Sequence, residues 1–210
     1  MTGAGVPDRL LSAWSLFDLA AIFVFALTGA LTAAAHRQTL VTFAFFALVT
    51  GVGGGTARDL LIGAPVFWMR QNAALAACLL AALAVWFGPR GLWRGRLLDW
   101  LDAAGLAAYA TFGAVKGLAF GVAPLPAVAM GVLTACLGGV IRDVLAGQPS
   151  ILMRPELYVT AAALAAALAV GLILLGAPPV LAGLAAASAG FGLRALAIAK
   201  GLRLPAYRAR

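Results

Sequence analysis

Gly54-Gly55-Thr56-Ala57-Arg58-Asp59-Leu60-Leu61-Ile62-Gly63-Ala64-Pro65-Val66-Phe67-Trp68-Met69-Arg70 is echoed without a gap, 84 residues later, by Gly138-Gly139-Val140-Ile141-Arg142-Asp143-Val144-Leu145-Ala146-Gly147-Gln148-Pro149-Ser150-Ile151-Leu152-Met153-Arg154. Both stretches obey G-G-x-x-R-D-x-L-x-G-x-P-x-x-x-M-R. The same offset aligns Asp18 with Asp102, Gly29 with Gly113 and Thr50 with Thr134. A gap-free match at a fixed period marks an internal duplication. Each copy lies in apolar surroundings. Paired glycines and an Arg-Asp dipeptide, repeated at membrane depth in two halves, point to a permeation or transport path.

Composition fixes the class of protein. Of 210 residues 64% are hydrophobic and only 10% charged, with mean hydropathy +1.03. Soluble domains carry about 25% charged residues. A water-soluble fold cannot hide this much apolar surface, so an integral membrane protein is expected. The net charge of +8 does not indicate nucleic acid, because the basic residues are scattered at the ends of apolar segments and form no stripe. Cys78 and Cys136 lie inside apolar segments with no C-x-x-C spacing and no companion His, and are read as small buried thiols. The first apolar segment is too long for a signal-peptide core, and further spans follow it.

Seven apolar segments can be marked, at about 15–35, 40–62, 72–87, 97–120, 124–146, 156–175 and 180–200. All are expected to be helices, since a spanning segment must satisfy its own backbone hydrogen bonds. The expected organisation is one membrane domain over 1–210: repeat one at about 15–87, repeat two at about 98–175, and an extra helix at about 179–200. A Gly-, Pro- and Arg-rich link from Gly88 to Arg96 divides the halves. Each repeat holds three helices. Three is odd, so the second copy starts from the opposite side and the topology is inverted. Arg9, Arg58, Arg70 and Lys116 fall on one side, and the other eleven Lys and Arg on the other. The positive-inside rule then puts the N-terminus outside and the C-terminus in the cytoplasm of a bacterial or archaeal plasma (inner) membrane.

The motif residues are the candidate site. Gly53, Gly54 and Gly55 fall near the bilayer midplane, as do Gly138 and Gly139. Glycine weakens a helix, so a break or sharp bend is expected in helices two and five; the other reading is close packing through small residues. Arg58 and Asp59, like Arg142 and Asp143, are adjacent and point about 100° apart on a helix. Each is therefore expected to seek a partner elsewhere, and the topology offers Asp18 to Arg58 and Asp102 to Arg142. Those contacts are either staples of the fold or parts of the path. Lys116, near the outer end of helix four, either snorkels to the interface or senses voltage and biases a gate. Thr50 and Thr134 either offer hydroxyls to a dehydrated ion or bond to their own helices. His36 stands alone at a helix end, so neither a metal site nor a cofactor is expected. No catalytic constellation occurs, and the chain is not expected to be an enzyme.

These residues resemble the prokaryotic branch of the trimeric intracellular cation (TRIC) channels. Gly53 to Asp59 matches the G-G-G-x-x-R-D signature of that family; the second copy has Leu137 in place of the first glycine. The likeness runs from Phe17 through the seventh helix. It implies a homotrimer in which each protomer has its own pore for monovalent cations, potassium or sodium, with Gly53–Asp59 and Gly138–Asp143 along it. Animal members carry a Lys-Glu-Val motif and bind a phosphoinositide; this chain lacks that motif. The basic tail, Arg203 to Arg210, still suits anionic lipid of the bilayer. Some bacterial relatives are described as glycine transporters, which leaves a second reading: a secondary transporter of a small amino acid, its carboxylate held by arginine.

Overall fold

The computed structural model describes residues 8–89 and 96–205, with side chains from Phe17 onward. The expectations resting on Arg90 and Arg94, and on the tail beyond Pro205, lie outside the described residues. Among the described residues seven α-helices run in the order α1 (Asp8–Ala35), α2 (Leu40–Leu61), α3 (Asn72–Phe87), α4 (Leu97–Ala119), α5 (Pro124–Leu145), α6 (Val159–Leu174) and α7 (Pro179–Lys200). Short 3-10 turns at Phe67–Met69 and Ile151–Met153 follow α2 and α5 at equivalent positions. The all-helical membrane fold is therefore the one read from the sequence. Part of α1 (from Phe17), α2, α5 and α7 are long and apolar enough to cross a bilayer; α3 and α6 are shorter apolar helices of 16 residues each.

Local chemistry explains the ends. The Thr39 side chain accepts from the Thr42 amide and caps α2, while prolines open α5 and α7, where a missing N–H costs nothing. Gly63 (φ 67°) and Gly147 (φ 63°), both motif positions, turn the chain back after α2 and α5 in a left-handed conformation that disfavours other residues. Helix α6 starts three residues later than expected because the preceding segment is tied to the C-terminus. Leu204 donates to the Pro155 carbonyl at 2.8 Å, and Arg194 to Glu156 at 2.7 Å.

α1–α3 and α4–α6 form the two repeats, joined where α2 packs on α5 and α1 on α4, while α7 lies against α4 and α6. Small residues fill the interior: Ala26, Ala30, Ala47, Ala81, Ala110, Ala114, Ala135 and Ala165 are all buried. Large apolar side chains such as Val41, Phe45, Leu80, Leu125 and Leu181 face outward. That pattern suits lipid, where association depends on close packing rather than on hiding apolar surface from water.

One expectation is corrected here. α2 and α5 are not broken: each is continuous through its glycines. Opening the backbone at that depth would leave hydrogen-bonding groups unsatisfied. The glycines instead let the two helices touch, backbone to backbone. A Cβ on Gly54 would collide with the Thr134 carbonyl oxygen, and one on Gly138 would lie 2.5 Å from the Thr50 carbonyl oxygen. The contact is reciprocal, as a two-fold axis between α2 and α5 requires. Gly29 and Gly113 complete it by making room for the Thr50 and Thr134 side chains.

Candidate functional site: two buried charge clusters

In the first repeat the centre is Asp59, fully buried at the end of α2. Its Oδ1 accepts from Arg58 Nε at 2.8 Å and from Lys116 Nζ at 2.8 Å. Its Oδ2 accepts from the Phe67 amide at 3.0 Å. The second repeat copies this. Asp143 Oδ1 accepts from Arg142 Nε at 2.9 Å, and Oδ2 from the Ile151 amide at 3.0 Å. The P-x-x-x-M-R half of the motif thus has a definite use: it folds a 3-10 turn back so that one backbone N–H pins the motif carboxylate.

Arg58 and Asp59 therefore do pair with each other, as do Arg142 and Asp143, against expectation. The helical angle between neighbours is outreached by the long guanidinium arm, which curls onto a carboxylate already held in place by the turn. The Asp18–Arg58 contact, expected directly or through water, is not made directly. Asp18 is buried, yet its Oδ1 has no hydrogen-bond partner. Arg58 is instead held by Asp59 and by two rings, with Cζ 5.1 Å from the Phe112 centroid and 5.9 Å from that of Phe67, a cation–π arrangement. In the second repeat Arg142 Nη1 meets Asp102 Oδ1 at 2.8 Å and Thr28 Oγ1 at 3.0 Å. Thr28 stands where the other repeat has Phe112, 84 residues on. One substitution between the repeats thus exchanges a polar partner for an aromatic face.

Thr134 donates to its own helix at the Met130 carbonyl, 2.6 Å away, whereas the buried Thr50 hydroxyl has no partner. Gly51, Gly53, Gly55 and Gly139 sit against Cys78, Ile141, Phe67 and Tyr158 respectively. Lys116 remains one-fifth exposed, the most open member of the first cluster. His36 contacts the Thr32 carbonyl and the Gln148 amide, and among the described residues no group of three or more His, Cys, Asp or Glu is placed to hold a metal ion.

Sequence reasoning missed several members of the site. Tyr109 donates to the Gly51 carbonyl at 2.8 Å. The Tyr158 hydroxyl converges with Arg142 and Asp102 on the space above Gly139. Neither tyrosine has a tyrosine counterpart in the other repeat, so the duplication gave no signal for them. The roles of Phe67 and Ile151 were signalled by the fixed spacing of eight residues from each motif aspartate.

Seven helices in an inverted repeat, with duplicated charge clusters buried between the halves, define a polytopic membrane protein built as channels and secondary transporters are. The family model described as "Glycine transporter" matches the chain twice, at residues 15–90 and 99–174. A membrane protein of Deinococcus radiodurans designated UPF0126 is 39% identical over 74% of this chain and 77% of its own length. A Vibrio cholerae protein of the same designation is 38% identical over 70% of this chain; the match spans 62% of that longer relative. Among solved structures, the trimeric intracellular cation channel orthologue from Rhodobacter sphaeroides superposes with a TM-score of 0.86 at 42% identity, over 91% of this chain and 100% of that one. The chain belongs to this family, the prokaryotic branch of the TRIC channels.

Proposed function

We propose that the protein is a monovalent cation channel, conducting potassium or sodium through a pore inside each protomer of a homotrimer. The observation that carries this reading is a series of buried polar groups along the α2–α5 contact. Lys116, Asp59 and Arg58 lie at one end, Thr50 and Thr134 near the crossing, and Arg142, Asp143 and Asp102 at the other. Charges in lipid cost several kcal/mol, and such residues generally mark ion pathways. The Rhodobacter relative is described as a trimeric cation channel, which supports both the ion class and the trimer. The lining proposed is Thr50, Gly53, Gly54, Gly55, Arg58 and Asp59 with Thr134, Gly138, Gly139, Arg142 and Asp143. Because both helices keep their hydrogen bonds, their carbonyls are not free to coordinate an ion. Coordination falls to carboxylates, the Thr50 hydroxyl and water.

The charge asymmetry of the loops supports an outer first-repeat cluster and a cytoplasmic second-repeat cluster in a bacterial inner membrane. The basic C-terminus would then meet anionic headgroups, at about 1 kcal/mol per charge. Arg58 and Thr50 are about 1% exposed, which supports reading this conformation as the closed one. Opening requires the Lys116–Asp59 contact to part and Arg58 to move aside. A lysine near the outer end of its helix feels part of the field, which is worth about 2.3 kcal/mol per unit charge and 100 mV across the whole membrane. Lys116→Ala should therefore raise open probability and flatten its voltage dependence, and Arg58→Ala should change unitary conductance. Single-channel records of both variants that superpose on wild type would sink the gating role.

A second reading follows from the name of the matching family model. A cavity of about 410 Å³ beside Arg142, Asp143 and Asp99 has the charge pattern for a small zwitterion. Saturable glycine uptake into liposomes, competed by close analogues, would favour that reading over a channel.

A further inference from the structure

α7 stands outside the repeat, yet it carries a buried arginine. Arg194 is about 2% exposed. Its Nη2 donates to Glu156 Oε2 at 2.7 Å, and its Cζ lies 5.4 Å from the centroid of the Tyr158 ring. A charge at that depth is a costly way to fasten a helix. Small residues already fasten α7, as where Gly190 packs on Ala161 and Ala165. Tyr158, just before α6, turns its hydroxyl into the second cluster. A Cβ on Gly139 would lie 3.1 Å from that hydroxyl and 3.6 Å from both Arg142 Nη2 and Asp102 Oδ1. The hydroxyl and Asp102 Oδ2 are both buried without a hydrogen-bond partner among the described residues. A donor and an acceptor left open in one buried cluster cost stability. The position of the hydroxyl is therefore imposed from outside the cluster, where Arg194 lies on the ring.

We infer that Arg194 is a positioning residue for the second cluster: held by Glu156, it fixes the Tyr158 ring and so sets where the hydroxyl stands against Arg142 and Asp102. The anchor reaches the C-terminal segment, because the backbone of Glu156 pairs with Arg203 and Leu204 donates to the Pro155 carbonyl at 2.8 Å. Asn72 and Ala74 stand at the positions of Glu156 and Tyr158 in the first repeat, so this anchor has no counterpart there. In the channel reading, on which only its physiological role rests, the anchor holds the Arg142 end of the path closed.

The reporter is Cys136, a buried thiol on α5 within electrostatic reach of Asp102 and Tyr158. The rate at which a small methanethiosulfonate reagent modifies it is measured in the purified full chain carrying Cys78→Ala. Arg194→Gln and Tyr158→Phe should each raise that rate about 2- to 30-fold, the range over which coupling residues act. The double variant should be no faster than the faster single one, because the arginine acts through the hydroxyl. Tyr158→Phe keeps the ring, so an arginine that only staples the fold would keep its full effect in that background. Gly190→Ala, whose added Cβ meets Ala165, Ala161 and Ala107, loosens α7 by another route and should act equally in both backgrounds. Glu156→Gln replaces Arg194→Gln if the latter does not fold. An unchanged rate for the anchor variant, or two effects that multiply, overturns the positioning role, as does loss of the Gly190→Ala effect in the Tyr158→Phe background. In planar bilayers the anchor variants should raise open probability. Conduction with no change in thiol rate removes the positioning role only, and the expected thiol pattern with silent bilayers removes the channel reading only.

Discussion

Arg142→Ala is expected to lower stability by about 3–5 kcal/mol, the usual cost of stranding the partner of a buried ion pair. The arginine is about 2% exposed and serves Asp143, Asp102 and Thr28 together. Its loss leaves two carboxylates buried side by side with no cation between them. Arg58→Ala is expected to cost clearly less, because Asp59 keeps both the Lys116 ammonium and the Phe67 amide. The comparison is made by thermal unfolding of the two variants in the same detergent, scored by loss of the monodisperse folded species. Equal losses, or a larger loss for Arg58→Ala, would show that the clusters are not unequal in the way their geometry indicates.

The second large effect concerns the α2–α5 contact. Gly54→Ala and Gly138→Ala each insert a methyl against a helical backbone carbonyl, which cannot rotate aside as a side chain can. The helices must part, at the roughly 1–3 kcal/mol typical of overpacking. Loss of the Thr50 and Thr134 packing adds to it. Gly171→Ala on α6 and Gly192→Ala on α7 are the controls, since nothing lies within 4 Å of an added Cβ at either position. Being helical, they should be neutral or gain up to about 1 kcal/mol of helix propensity. A Gly54→Ala protein as stable as wild type would mean that α2 and α5 do not meet as described.

Much of the architecture was legible because bilayer physics leaves few choices. Apolar runs must be helices, and an odd number of helices per repeat must invert the second copy. The segment 72–87 coincides with α3, and the topology that put Asp102 and Arg142 toward one side brings them to 2.8 Å. Two other expectations failed for physical reasons. Of the two readings the glycine cluster allows, a broken helix follows from what glycine permits in isolation, whereas a bilayer penalises open backbone and the same residues serve close packing. The adjacent Arg and Asp were kept apart by a helical-wheel angle that ignores the length of arginine and the backbone N–H that fixes the aspartate.

What the repeat hid was the difference between its halves. Thr32 opposite Lys116, Thr28 opposite Phe112 and Tyr158 opposite Ala74 look like ordinary mismatches in an alignment. They acquire meaning only when the fold brings them to the same carboxylates and guanidinia. The asymmetry gives the two clusters different electrostatics, one with a lysine paired to its carboxylate and the other with a carboxylate facing a cavity.

The central claim, that buried charges between the repeats line a cation path, is tested most directly by single-channel recording. Purified protein is fused into a planar bilayer with a potassium chloride gradient. The account predicts discrete openings that reverse near the potassium equilibrium potential, with Lys116→Ala shifting their voltage dependence. Silence at every voltage, accompanied by saturable glycine uptake into liposomes of the same preparation, would contradict it and assign the same arginines and aspartates to a transporter.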